Sequence, residues 1–206
     1  MTAEPQGFHV PVLLEEVLAY LQVHAGETFA DLTLGGAGHS CVIAERLTPN
    51  GTLIGIDRDR EAIEVAKQRL APFQNSLNVS IHHSGFERLD FILNSLGFPE
   101  QCLDAVLADV GVSSHQLDAE RGFSLRRDEF LDMRMDTSQG VTAQEFLATA
   151  SEAEIARVVW EYGEERFSRR IAQFIVEQRR RGQRIETTGQ LVKLVERAGE
   201  ALTALI

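Results

Sequence analysis

Cysteine is scarce in this chain of 206 residues, and no apolar run is long enough to span a bilayer. The two cysteines, Cys41 and Cys102, lie in apolar segments without metal-ligand spacing, which is typical of reduced thiols in or near a core. The N-terminal residues also lack the pattern of a signal peptide. We therefore expect a cytoplasmic protein with no membrane segment and no metal centre.

Basic residues are also few relative to acidic ones, so the formal net charge is −11. An acidic chain of this kind is a poor indiscriminate binder of nucleic acid. The charge is uneven, however: residues 1–150 contain ten Lys and Arg against twenty-two Asp and Glu, whereas residues 151–206 contain ten against nine. The arginine-rich second part is therefore compatible with a local basic surface.

The sequence TFADLTLGGAGHS, residues 28–40, is typical of a buried strand followed by a glycine-rich turn and the start of a helix. Glycines let backbone N–H groups approach a ligand closely, and a helix N-terminus carries partial positive charge suited to an anion. The pattern indicates the first unit of a nucleotide-binding α/β sheet, although many folds and ligands share it.

Strand and helix patterns alternate along the first half of the chain. Further buried strands are predicted at residues 52–57, 78–82 and 103–110, and helices at 12–21, 60–70 and 86–96. This alternation predicts a parallel, doubly wound α/β sheet. Beyond residue 111 the strand pattern stops, and a helical subdomain is predicted from segments 143–149, 152–162, 165–181 and 188–198.

Three carboxylates, Asp31, Asp57 and Asp109, fall at or near the carboxyl ends of predicted strands, where open α/β sheets bind ligands. Asp57 follows the glycine turn at the distance at which such folds place an acid on ribose hydroxyls, which fits NAD as well as S-adenosylmethionine. Three clustered acids would repel a pyrophosphate but offset a sulfonium and an ammonium, so charge favours S-adenosylmethionine. The alternative is that Asp31 and Asp109 merely cap loops or helices.

His39 follows the glycine turn and could act as a base or a metal ligand. No second histidine lies at metal-ligand spacing from it, so a loop histidine anchored to the backbone is the favoured interpretation. The segment 109–136, after the fourth strand, interleaves arginines, acids and phenylalanines. Its composition is that of a solvated surface loop, but a long loop beside a cofactor cleft can also cover a substrate.

Six motifs, in the right order over nearly the whole chain, closely resemble a single family. They are DLTLGGAGHS, IDRD, DVGVSSHQLD, ERGFS, LDMRMD and YGEERFSRRIAQFIV. The family is the bacterial S-adenosylmethionine-dependent methyltransferase that modifies N4 of one cytidine in small-subunit ribosomal RNA. The resemblance implies a Rossmann-like methyltransferase sheet with a helical domain inserted after the fourth strand, S-adenosylmethionine as cofactor and ribosomal RNA as partner.

The resemblance also implies roles for individual residues. The implied cofactor contacts are Ala37, Gly38, His39, Asp57, Phe86, Asp109 and Gln116. Among these, Phe86 would pack on the adenine and Asp57 would accept the ribose hydroxyls. The implied domains are residues 1–111 as the cofactor-binding methyltransferase domain, 112–141 as a substrate and cofactor loop region, and 142–206 as the helical subdomain.

The chain departs from the family pattern in three places. Ala37 stands where a glycine is usual, which is a mild change if its φ is negative. Glu129 and Phe130 replace a Gly-Pro pair before LDMRMD, a change that can alter the substrate loop. Family members also continue through further strands that complete the sheet, so this chain is expected to be shortened, with an incomplete sheet and an exposed apolar edge.

For the reaction, we expect the target cytosine to leave its local RNA structure, because stacking hides its amino group. The lone pair of N4 is delocalised into the ring, so an acceptor for the amino hydrogens would restore electron density as the methyl group transfers. Asp109, with the backbone of Val110 and Gly111, is the predicted catalytic group. Holding the methyl group and nitrogen in line would supply most of the rate.

RNA contacts are expected from arginines in the helical region: Arg166, Arg169, Arg170, Arg179, Arg180, Arg181 and Arg184. The alternative is that they are solvated and paired with nearby glutamates. The overall acidity favours recognition of an assembled small-subunit particle over naked RNA. Two other functions stay open from sequence, a non-catalytic ribosome-binding module and an NAD-dependent oxidoreductase, and the oligomeric state is not determined.

Overall fold

The computed structural model describes residues 11–124 and 126–203. The chain divides into two compact units, residues 1–115 and 116–206. The three-part division expected from the family resemblance stays a prediction. No helix in the two described stretches is long and apolar enough to cross a membrane.

The first unit contains one parallel sheet of four strands in the order β3-β2-β1-β4. The strands are β1 Thr28–Asp31, β2 Thr52–Asp57, β3 Asn78–His83 and β4 Ala105–Leu107. The helices are α1 Leu14–Leu21, α2 Gly38–Leu47, α3 Arg60–Leu70 and α4 Leu89–Ser95. This arrangement confirms the predicted parallel, Rossmann-like sheet.

Both faces of the sheet are covered, as apolar strands without polar alternation require. Phe29 and Leu53 pack into a core with residues of α2 and α3, while Ala30 and Ile54 pack on the other side with Ile92 of α4. Successive side chains of a strand point to opposite faces, so each strand contributes to both cores.

The second unit is helical, with helices α6 Ala143–Thr149, α7 Glu152–Glu161, α8 Ser168–Arg180 and α9 Thr188–Thr203. A short helix, α5 Ser114–Asp118, spans the boundary between the units. Thr142 starts α6 with a capping box to Glu145, and Ser151 caps the N-terminus of α7. Their apolar faces form a core of their own that includes Ile155, Ile171 and Ile175.

Several predicted boundaries differ from the structure. The first helix begins at Leu14 because Leu13 has a left-handed backbone, with φ 54°. The segment predicted as helix 86–96 is a 3₁₀ turn over Phe86–Arg88 followed by α4. The last helix continues to Thr203 instead of ending at residue 198, and α5 was not predicted at all.

The fourth strand spans three residues instead of the eight predicted from 103–110. It pairs with β1 only from Phe29 opposite Ala105 to Asp31 opposite Leu107, because β1 itself ends at Asp31. On the other side β4 is an edge of the sheet within the described residues, and Val106 at its centre is 41% exposed. An apolar side chain is therefore exposed at this edge, as the sequence predicted.

Candidate cofactor-binding site

Asp31, which is fully buried, stabilises the loop after β1 through hydrogen bonds. Its carboxylate accepts the Ser40 hydroxyl at 2.6 Å and the Thr33 N–H at 3.1 Å, so it ties the strand end to the first turn of α2. Burial raises the pKa of Asp31 to about 6, and the hydrogen bond from Ser40 opposes that rise. Asp31 therefore shapes the loop, which favours the capping interpretation over a ligand-facing acid.

Ala37 occupies the last position before α2 with φ 61°, in the left-handed region, and its side chain is buried. The change was expected to be mild if this φ were negative, and that condition is not met. A left-handed residue with a Cβ costs about 1–2 kcal/mol, which a glycine avoids. The bond from Ala37 N–H to the Leu34 carbonyl at 2.8 Å fixes the turn despite this cost.

Helix α2 begins at Gly38, and its first internal bond runs from the Cys41 N–H to the Ala37 carbonyl at 3.0 Å. The N–H groups of Gly38 and His39 therefore have no partner within the helix and lie at its N-terminus, where an anion is stabilised, whereas Ser40 is fully buried. A Cβ at Gly38 would come within 3.2 Å of Pro11, so glycine suits this close approach.

The His39 ring is anchored to the backbone, since Nε2 donates to the Val12 carbonyl at 3.1 Å. A carbonyl can only accept, so the proton sits on Nε2 in this arrangement. This agrees with the predicted anchoring to the backbone, but His39 lies in the first turn of α2 and not in a loop. No group of three or more potential metal ligands occurs among the residues that the structure describes.

Asp57 ends β2 and joins it to the glycine turn. Its Oδ2 accepts the Gly35 N–H at 2.7 Å, and its Oδ1 accepts the Asp59 N–H at 2.8 Å. Partial burial raises the pKa of Asp57, and these backbone hydrogen bonds oppose the rise. Each carboxylate oxygen can accept a second hydrogen bond, so the group can also receive two ribose hydroxyls.

An exposed aromatic ring lies beside this acid. Phe86 is 43% exposed at the start of the 3₁₀ turn after β3, the strand next to β2. The Arg58 guanidinium lies 5.9 Å from the ring centroid and pairs with Glu87 at 2.8 Å. The ring is thus available to a flat apolar group at the edge where β2 ends.

The loop after β4 is tied to the loop after β1, because the Asp109 N–H donates to Thr33 Oγ1 at 2.8 Å. The Asp109 side chain is exposed. The roles of Thr33 and Arg58 were not predicted, since neither follows from residue type alone. Of the expected contacts, Gln116 is buried in α5 and belongs to the second unit; the other six lie in the first.

In the second unit, Glu129 anchors the predicted substrate loop. Its carboxylate accepts the Gly122 N–H at 2.9 Å and pairs with Arg127 Nε at 3.0 Å. Its backbone N–H donates to the Thr188 hydroxyl at 3.0 Å, and its carbonyl accepts the Thr188 N–H at 2.8 Å. The departure from Gly-Pro therefore adds a buried acid that holds the loop through Gly122 and Arg127, while the link to the start of α9 is made by the backbone of residue 129.

Comparison with known proteins gives a consistent match. The model of the MraW methylase family matches residues 6–203. Three relatives are named ribosomal RNA small subunit methyltransferase H: those of Geotalea uraniireducens (49% identical), Symbiobacterium thermophilum (48%) and Brevibacillus brevis (47%). The alignments cover 91 to 92% of this chain and 58 to 60% of those proteins, so the chain spans about 60% of their length.

Proposed function

Since this chain belongs to the MraW methylase family, we propose that it transfers a methyl group from S-adenosylmethionine to small-subunit ribosomal RNA. The observation that carries the proposal is the Asp57 carboxylate fixed on the Gly35 N–H at 2.7 Å, beside the open start of α2. The names of the relatives support the RNA substrate. The family membership is confirmed, and it removes support from the NAD-dependent alternative.

The residues present fit the cofactor. The cofactor carboxylate suits the N–H groups at the start of α2, the ribose hydroxyls suit Asp57, and the adenine suits the exposed Phe86 ring. Of the three predicted acids, Asp57 and Asp109 stay available to offset the positive charges of the cofactor, whereas Asp31 is buried and bonded to Ser40. Family membership supports S-adenosylmethionine more strongly than charge does.

The target we propose is the N4 amino group of a cytidine. When bound, S-adenosylmethionine would supply an electrophilic methyl group to N4 and leave as S-adenosylhomocysteine, and the proton lost from N4 would pass to solvent. Asp109 accepts a hydrogen bond from the amino group and so raises electron density on N4. Its backbone is fixed through Thr33 at 2.8 Å, while its carboxylate stays exposed to a substrate.

The RNA surface we propose is the arginine-rich stretch from Arg166 to Arg184. It contains seven arginines and one acid, a net charge of +6 in a chain of net −11. Arg179 is an exception, because it donates to the carbonyls of Leu147 and Ala150 at 3.2 and 2.9 Å and so caps α6. The other six are exposed or half-buried, and their partner would be an assembled small-subunit particle.

The test is methyl transfer to small-subunit particles that lack the modification, with labelled S-adenosylmethionine and analysis of the digested nucleosides. We expect label in N4-methylcytidine. Label in another nucleoside would contradict the N4 assignment. Binding to the particles without any label would favour the second candidate, a non-catalytic ribosome-binding module, which is kept because the chain spans only about 60% of its relatives.

A further inference from the structure

Two large aromatic side chains are exposed where α7 ends. Trp160 is 57% exposed and Tyr162 is 78% exposed, although the core of the same unit is well packed. Tryptophan and tyrosine are usually largely buried, so the exposure of both at the end of one helix indicates a binding role. Neither residue takes part in the proposed cofactor site or in the arginine-rich stretch.

The corner between α7 and α8 is tightly turned. The Glu164 N–H donates to the Trp160 carbonyl at 3.0 Å, and the Glu165 N–H to the Val159 carbonyl at 3.3 Å. Arg157 pairs with Glu161 at 2.6 Å and also interacts with Tyr162; both partners raise the pKa of its guanidinium. The two rings therefore project from a fixed backbone, which reduces the entropy lost on binding.

Cations line the exposed side of α8, the helix that follows this corner. Arg169, Arg170 and Arg180 fall within a sector of about 100° of the helix surface, by the periodicity of 3.6 residues per turn. Within residues 126–203 of the structure, none of them forms an ion pair with a carboxylate. This contradicts the alternative in which they are paired with glutamates.

Aromatic rings also orient two of the neighbouring guanidinium groups. Arg166 lies 4.6 Å from the centroid of Phe167, and Arg170 lies 5.7 Å from that of Phe174. Such stacking holds the charge at the surface without neutralising it. Exposed rings at the corner are thus followed by α8 arginines that form no ion pair among the described residues, although Glu161, Glu164 and Glu165 lie in the corner itself. A partner that matches the rings and these arginines carries regular negative charge and exposed aromatic faces.

We infer that Trp160 and Tyr162 form a stacking platform for unpaired bases of RNA, whose phosphates contact the arginines of α8. Unpaired bases stack on aromatic side chains in most recognition of single-stranded RNA, whereas a duplex hides its base faces. The inference deepens the proposed function and rests on it for the identity of the RNA. It also assigns the surface to single strands rather than to helical RNA.

The test uses the fluorescence of Trp160, the one tryptophan in the chain. The full 206-residue chain is titrated at low ionic strength with an unstructured oligouridylate of about ten nucleotides, which is within the usual range for such sites. We expect the oligonucleotide to quench the fluorescence, because a stacked base contacts the indole. A duplex RNA with the same number of phosphates should quench little, and so should polyglutamate.

Substitutions of the aromatic residues test stacking while they leave the charge of the chain unchanged. Tyr162→Leu should weaken the apparent affinity for the oligouridylate about tenfold, because one stacked base is lost. Tyr20→Leu is the matched control, since Tyr20 is 88% exposed on α1 in the other unit, and it should change nothing. Trp160→Leu removes the signal and is followed by the anisotropy of a labelled oligouridylate, with a similar loss expected.

Absence of quenching, or equal quenching by the duplex or by polyglutamate, would overturn the inference. So would a Tyr162→Leu variant that folds with an unchanged melting temperature and binds the oligouridylate as the parent chain does. The proposed function has its own readout, a thermal shift with S-adenosylhomocysteine. Quenching without that shift would count against the methyltransferase alone, and the shift without quenching against the stacking platform alone.

Discussion

The two units differ in how they hold their candidate functional groups. In the first, Asp31 and Asp57 are fixed by backbone N–H groups and a buried hydroxyl, so the loops are set before any ligand binds. In the second, Trp160 and Tyr162 at the end of α7 and Arg169 and Arg180 of α8 are exposed. A small cofactor needs a preorganised cradle, whereas an RNA strand can adapt to a surface of charges and rings.

Asp57→Asn should have the largest effect. An amide cannot accept at both of its ends, so either the Gly35 or the Asp59 N–H loses its acceptor, and the ribose hydroxyls lose a charged one. We expect affinity for S-adenosylhomocysteine to fall by roughly ten- to a hundredfold, measured by calorimetry. Glu64→Gln is the matched control, because Glu64 is an exposed acid on α3 that pairs with Lys67. Unchanged affinity in Asp57→Asn would show that the acid does not hold the cofactor.

Substitution of Ala37 tests the strain in the glycine turn. Ala37→Val should lower the free energy of unfolding by about 2–3 kcal/mol, because a β-branched residue is disfavoured at positive φ and the site is fully packed. Ala37→Gly should stay within about 1 kcal/mol of the parent, since relief of strain offsets a lost methyl group and a more flexible unfolded chain. Urea denaturation measures both. A stable Ala37→Val variant would mean that the left-handed turn is not required.

Asp31→Asn tests the buried anchor through its pH dependence. The folded-state pKa of Asp31 is raised to about 6, above the ordinary value of 3.8, so the folded chain binds this proton more tightly than the unfolded chain does. The stabilisation from the bound proton is complete at low pH and is lost as pH rises through 6. The variant has no carboxyl group to titrate at this position, so its unfolding free energy does not fall for this reason. Between pH 4.5 and 7, the unfolding free energy of Asp31→Asn should therefore gain about 2 kcal/mol on that of the parent. A pH-independent difference between the two chains would contradict a buried, titrating Asp31.

Two arginines of α8 should separate structure from recognition. Arg179→Ala removes the donors to the Leu147 and Ala150 carbonyls and should destabilise the chain by about 1–2 kcal/mol. Arg169→Ala, on the exposed face, should leave the melting temperature unchanged and reduce the salt dependence of RNA binding. A destabilised Arg169→Ala variant, or an Arg179→Ala variant with unchanged stability, would contradict these assignments.

Features that depend on a local sequence pattern could be predicted, whereas features that depend on contacts between distant segments could not. The four strands and the family motifs were predictable, because each depends on local periodicity or on a run of residues. The left-handed φ of Ala37, the burial of Asp31 against Ser40 and the capping of α6 by Arg179 were not, because each depends on tertiary packing. The short fourth strand likewise follows from where its neighbour β1 ends.

The most direct test of the central claim is thermal unfolding of the 206-residue chain with S-adenosylhomocysteine, with NADH as the control. A ligand bound only by the native state raises the melting temperature, by several degrees once its concentration is about a hundred times Kd. The account predicts a rise with S-adenosylhomocysteine alone, reduced in Asp57→Asn. No rise with S-adenosylhomocysteine, or an equal rise with NADH, would contradict a methyltransferase cofactor site in this chain.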